Sequence, residues 1–136
     1  MHRHLDAALR LVRGRPFADV DWTWSLVEGF VSQAGALITD VTATLATWQM
    51  ERGDHLAALR AVEQGQLAVP ESETLGRLKM RAHFERGEMD ALRDVMTELR
   101  RSADGDLGPN GDDRLHPATV RLYRKLTSTQ MSATAR

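Results

Sequence analysis

Arg77 and Arg81 stand four residues apart in a stretch of helical periodicity, so their guanidinium groups share one face. A pair of this kind can take a carboxylate or a phosphate bidentately. The alternative is a surface laced by ion pairs to Glu73 or Glu85. Arg121, Arg124 and Lys125 form a second cationic cluster near the C-terminus, again either a docking surface or a solvated helix face. Arg77, Arg81, Arg121 and Arg124 are therefore the candidate partner-binding residues.

Other chemistries fail on spacing. The acidic stretch from Asp104 to Asp113 invites a calcium loop, but counting from Asp104 puts Gly108 at the fifth position and Leu115 at the twelfth, where ligands are required. His2, His4, His55, His83 and His116 contain no pair four apart around a glutamate, so no zinc-peptidase helix is expected. No Gly-x-Ser-x-Gly elbow occurs, and the glycines from Gly105 to Gly111 lack the Lys-Ser/Thr of a phosphate loop. Trp22, Trp24 and Trp48 suit either an aromatic shelf or, as the better account, helix packing with the indole N–H bonded to a carbonyl. The reading is non-enzymatic, with no cofactor and no metal.

A chain of 136 residues with 42% hydrophobic and 27% charged residues has the length and composition of one globular domain. Its net charge of −1 gives no cationic excess for gripping nucleic acid, so the isolated chain is not expected to bind DNA. With no cysteine, disulfides and thiolate sites are excluded, and a cytoplasmic setting is expected. No apolar run reaches the ~18 residues of a membrane span, so no membrane insertion is expected.

The positions that carry these side chains read as helices throughout. Leu5, Leu9 and Val12 mark a first helix over 5–13, with Gly14 as its C-terminal glycine and Pro16 beyond. Asp21 suits the cap of a long helix reaching Arg52, with a stripe of Leu26, Phe30, Ala34, Leu37, Val41, Leu45 and Trp48. Gly29 and Gly35 interrupt it, each costing ~1 kcal/mol against alanine, and mark a kink or a close approach by the first helix. Asp54 caps a helix bearing Leu56, Leu59, Val62 and Leu67, stopped by Pro70. Ser72 caps the next, with Leu75, Leu78, Ala82 and Phe84, closing at Gly87. Met89, Leu92, Val95, Met96 and Leu99 define a fifth helix that ends after Arg101. An Asp/Gly-rich loop follows, and Pro117 opens a last helix with Val120, Tyr123 and Leu126. Residues 128–136 lack periodicity and are expected as a disordered tail after a domain over 1–127.

Two turns repeat. Glu51-Arg52-Gly53-Asp54 is echoed by Glu85-Arg86-Gly87-Glu88 at 34 residues, the period of the tetratricopeptide helix pair. Beyond it Leu56-Ala57-Ala58-Leu59-Arg60-Ala61-Val62 matches Met89-Asp90-Ala91-Leu92-Arg93-Asp94-Val95 after one skipped residue. The fold expected is all-α: a tetratricopeptide-like, right-handed stack of antiparallel helix pairs with about six helices. Counted back from Gly87, Arg77 and Arg81 fall where such repeats line their concave groove.

Four stretches carry a more specific likeness. They are Ala8 to Phe17 followed by Trp22 and Trp24; the Gly53 turn with Ala58 and Leu59; Pro70-Glu71-Ser72-Glu73 leading to Leu78, Met80, Ala82 and Gly87; and Leu107-Gly108 before Leu115-His116-Pro117-Ala118-Thr119-Val120-Arg121-Leu122-Tyr123-Arg124. In this order the chain resembles the bacterial transcriptional activator domain, the tetratricopeptide-like module of antibiotic-regulatory activators. The closing stretch is similar to the form in large actinobacterial proteins that also carry a LysM region. The acidic insertion around Asp112-Asp113 departs from the compact Leu-Gly-Val-x-Pro link of the antibiotic regulators.

In those regulators a winged-helix DNA-binding domain precedes the module; here too few residues stand before Leu5 to form one. The resemblance thus implies a regulatory protein-interaction module without its own DNA reader, the C-terminal part of a transcriptional regulator. Its partner would be a polymerase subunit, an adjoining domain or a second copy, a homodimer being possible. The alternative is a peptide-binding scaffold at the cytoplasmic end of a LysM-bearing protein, with no direct transcriptional role.

Overall fold

The computed structural model describes residues 2–16, 25–104 and 111–135. They form α1 (His2–Leu9), α2 (Ser25–Glu51), α3 (His55–Gln66), α4 (Glu73–Glu85), α5 (Met89–Asp104) and α6 (Pro117–Thr134), with a 3-10 turn at Gly111–Arg114. No strand occurs among the described residues. The all-α class is as expected, and the arrangement is consistent with a tetratricopeptide-like fold.

Two glycines turn the chain back on itself. Gly53 (φ 76°) and Gly87 (φ 73°) adopt the left-handed conformation that a side chain would strain. In the first turn the Gly53 N–H donates to Met50 O and the Asp54 N–H to Gln49 O; in the second Gly87 donates to Phe84 O and Glu88 to His83 O, all at 2.9 Å. These are two Schellman motifs 34 residues apart, and each reverses the chain into an antiparallel helix. Asp54 then caps α3 by accepting the Ala57 N–H at 3.1 Å, and Ser72 caps α4 by accepting from Leu75 at 3.4 Å.

Burial shows that the repeat has no skipped residue. Ala58, Ala61, Val62 and Gly65 on α3 and Leu92, Val95, Met96 and Leu99 on α5 are all buried, each pair separated by 34. The one-residue shift improves the letter match but would align buried Ala61 with exposed Asp94. Packing follows the backbone register set by the turns.

The buried residues fall into two clusters. One joins Leu9, Leu45, Ala46, Ala58, Ala61, Val62, Leu75 and Leu78, and the other Met80, Leu92, Val95, Met96, Leu99, Leu115 and Leu126. Each large side chain buried here contributes about 1.5–3 kcal/mol. α6 runs alongside α4 in the same direction: their N-terminal ends meet at Glu73 and Thr119, and Met80 and Leu126 share the second cluster further along.

Several expectations shift. α1 ends at Leu9, because the Leu11 and Val12 N–H groups donate three residues back and tighten the chain out of the helix. Gly14 is not in the left-handed conformation of a C-terminal glycine. α2 keeps the expected stripe only toward its C-terminal end, where Leu45 is buried and Trp48 packs on the first cluster. Its buried face is Thr42, Leu45, Ala46 and Gln49, while Phe30 is 57% and Leu37 64% exposed. A Cβ at Gly29 would meet nothing and one at Gly35 would make an ordinary contact with Val69, 3.6 Å away, so neither receives the first helix. The close approaches are at Gly65 and Gly76. α6 is helical to Thr134, where a disordered tail is expected from 128, although every residue from Ser128 to Ala135 is exposed. Trp22, Trp24, Asp21 and Leu107-Gly108 lie outside the described residues.

Candidate functional site

Two of the candidate residues stand on α4 and two on α6, and a small polar network closes the seam between these helices. Pro117 occupies the first turn of α6, where its missing N–H is no loss, and the His116 ring Nδ1 accepts the Ala118 N–H at 3.1 Å. That leaves the His116 N–H and the Thr119 hydroxyl pointing back at α4. Glu73 takes both. Its carboxylate accepts the His116 N–H at 3.1 and 2.9 Å and the Thr119 hydroxyl at 2.6 Å. A carboxylate at the N-terminus of two helices is also favoured by both dipoles.

Arg77 completes the network. It donates to Thr119 Oγ1 at 3.0 Å and to Thr74 Oγ1 at 3.2 Å. Thr119 is fully buried, so its hydroxyl works as an insulated bridge between the Glu73 carboxylate and the Arg77 guanidinium. Arg81, one turn further along, is exposed and makes neither hydrogen bond nor ion pair among the described residues. The two arginines that spacing put together thus differ in availability.

On α6, Arg121 is exposed and likewise without a hydrogen bond or ion pair among the described residues. Arg124 approaches Asp112 at 3.9 Å with 74% of its side chain exposed. Asp112 is held mainly by Arg100 of α5, at 2.7 Å, and that guanidinium also lies 5.4 Å from the Tyr123 ring centroid. Asp112, a residue of the rejected calcium loop, is thereby a tie between α5 and α6. No cluster of residues suited to a metal ion occurs among the described residues.

A third polar group sits at the Gly87 turn. Glu88 accepts from Arg86 at 2.7 Å and meets His83 Nδ1 at 2.7 Å. Hydrogen bonds from Arg86 and then His83 hold its carboxyl well down, to about 2, and Glu88 in turn raises Arg86. A cleft of about 500 Å³ lies between α1, α2 and α3 and is walled by Asp6, Arg10, Gln49, Arg60 and Gln64. Gln64 bridges to the Val12 carbonyl along its rim.

The closing stretch from Leu115 to Val120 can now be read physically: Leu115 is buried, His116 and Pro117 start the helix, Thr119 is the buried bridge and Val120 packs on the second cluster. This is one of the four stretches that carry the family likeness. The family described as the bacterial transcriptional activator domain matches residues 1–127. The chain belongs to that family. No curated protein and no solved structure matches it. In this bacterial transcriptional activator domain, sequence reasoning missed Glu73 as the clamp and Thr119 as the bridge. The signal was a threonine two residues after His-Pro, at the third position of a helix start. No helix among the described residues is long and apolar enough to cross a membrane.

Proposed function

We propose that the chain is a non-enzymatic interaction module of a transcriptional regulator, working in the cytoplasm through protein contacts and not through DNA. The reading is supported by membership of a transcriptional activator family and by a net charge of −1, which supplies no counterion-release driving force. The observation that carries it is Arg81. Its exposed guanidinium is unengaged on the helix whose neighbouring cation, Arg77, is consumed in the seam. Arg81 on α4, and separately Arg121 on α6, offer planar charge to acidic segments of a partner such as a polymerase subunit or an adjoining domain.

Capture of purified bacterial RNA polymerase holoenzyme on the immobilised chain tests this. Retention of polymerase that Arg81→Glu with Arg121→Glu abolishes is expected, together with no shift of duplex DNA at low salt. Tight DNA binding by the chain, or retention indifferent to the charge reversals, would overturn the reading.

A further inference from the structure

Gln49 sits on the buried face of α2 with its amide unsatisfied. The residue is 9% exposed, its Oε1 is buried, and its side chain makes no hydrogen bond among the described residues. A buried amide of this kind is destabilising unless something bonds to it. Gln49 lines the cleft between α1, α2 and α3, where Leu9 and Ala61 are also buried. At about 500 Å³ the cleft has the size of a small-molecule site. The chain leaving α1 does not fill it. Gln64 bonds the Val12 carbonyl and Arg15 meets Glu71 at 3.1 Å, which carries that chain on toward the turn between α3 and α4.

The rim is charged and half of it is engaged. Arg10 is taken by Asp6 at 2.8 Å. Arg60 and Glu63 stand three apart on α3, exposed, with no hydrogen bond or ion pair among the described residues. One cation and one anion on the same helix face are thus left free above the unsatisfied amide.

We propose that the cleft binds a free α-amino acid whose side chain ends in a carboxamide, glutamine being the best match. Arg60 takes the α-carboxylate bidentately and Glu63 the α-ammonium. The methylene groups of the ligand lie on Leu9 and Ala61. Its carboxamide offers Gln49 one donor and one acceptor, the same two groups that Gln49 presents in return. The walls disfavour other classes. Two guanidinium groups are balanced by two carboxylates, so a phosphate ligand gains no net attraction, and no aromatic ring lines the cleft to stack a base. An amino acid with an acidic side chain would bring a charge to the buried floor. The site goes beyond the interaction reading and is built from α1, α2 and α3, apart from Arg81 on α4 and Arg121 on α6.

Equilibrium dialysis of the full chain against L-glutamine, up to millimolar concentration, provides the test. Saturable binding of one glutamine per chain is expected, with L-leucine and L-glutamate each weaker by about tenfold or more. Gln49→Met keeps the length of the side chain and removes the amide, so it should stay as stable as the parent and bind glutamine about tenfold less tightly or worse. Arg60→Glu, at an exposed position, should leave the helical circular dichroism unchanged and abolish binding. No glutamine bound at millimolar concentration would overturn the assignment. So would leucine binding as well as glutamine, or binding that either substitution leaves intact. Each of these results leaves the Arg81 surface standing, because polymerase capture reads that surface separately.

Discussion

Thr42 packs so closely on Gly65 that a Cβ built on the glycine would lie 2.4 Å from the threonine hydroxyl oxygen. One repeat later the same two positions hold Gly76 and Leu99, and there a Cβ on Gly76 would meet Leu99 Cδ1 at 2.8 Å. The bulk has changed sides, from α2 in the first pair to α5 in the second. Gly65→Ala should destabilise the fold by about 1–3 kcal/mol, since the β-branched Thr42 is stiff in a helix and fully buried. Gly76→Ala should cost less, because only the end of the Leu99 side chain must swing. Transplanting the second arrangement into the first, as Thr42→Gly with Gly65→Leu, should be more stable than Gly65→Leu alone. Urea denaturation of the four variants measures this; equal losses for the single and double changes would sink the swapped-bulk account.

The same pair shows how far the sequence could be read. Helices, turns and caps at Gly53, Asp54, Ser72, Gly87 and Pro117 were legible because each rests on local chemistry with a fixed offset. Which glycine meets a neighbour was not. Gly35 and Gly65 look alike in sequence, and only the crossing of α2 over α3 decides that Gly65 is the close approach. Phe30 and Leu37 belong to a regular stripe, but periodicity gives a face and not what lies against it. The letter match likewise misplaced the α5 register by one residue, since alanine and leucine exchange freely at buried sites while the Schellman turns keep count. At the candidate site, spacing put Arg77 and Arg81 on one face. Thr119, 42 residues downstream of Arg77, engages one of them, and no short-range pattern announces a contact of that separation.

Thr119 should be among the costliest single polar positions. Thr119→Val keeps the shape but removes the hydroxyl that donates to Glu73 and accepts from Arg77, leaving both partners one bond short beside a buried methyl group. A loss of about 1–3 kcal/mol is expected, and Thr119→Ser should retain most of it. Thermal unfolding ranks the three proteins. Stability of Thr119→Val within error of the parent would show the bridge to be incidental.

Acid should weaken the fold through Glu88 in a defined window. Its carboxyl titrates near 4.5 when unperturbed and at about 2 in the fold, the hydrogen bonds from Arg86 and His83 holding the charge. A depressed carboxyl stabilises the folded state fully above pH 4.5, and that contribution is lost as pH falls toward 2. The difference in Tm between the parent and Glu88→Gln should therefore be constant near neutrality, shrink below pH 4.5 and vanish by about pH 2. Added salt should narrow it, because the ion pair is 35% exposed on both sides. A difference that persists unchanged to pH 2 would refute the assignment.

The end of α6 offers a contrast between helix and domain. From Ser128 onward every side chain to Ala135 is exposed, and the bonds made are local, such as Ser132 Oγ to Ser128 O at 3.2 Å and Thr134 Oγ1 to Gln130 O at 3.0 Å. Such bonds follow from the helix being formed and do not tie it to the rest of the fold. Leu126, by contrast, is 8% exposed within the second cluster. A chain truncated after Thr127 should keep its urea midpoint within the equivalent of about 0.5 kcal/mol of the parent. Leu126→Ala in the same truncated chain should lose about 2–4 kcal/mol, because it opens a cavity in that cluster. If the truncation alone cost as much as the cavity, the boundary at residue 127 would be wrong and the exposed turns of α6 would have to belong to the folded unit.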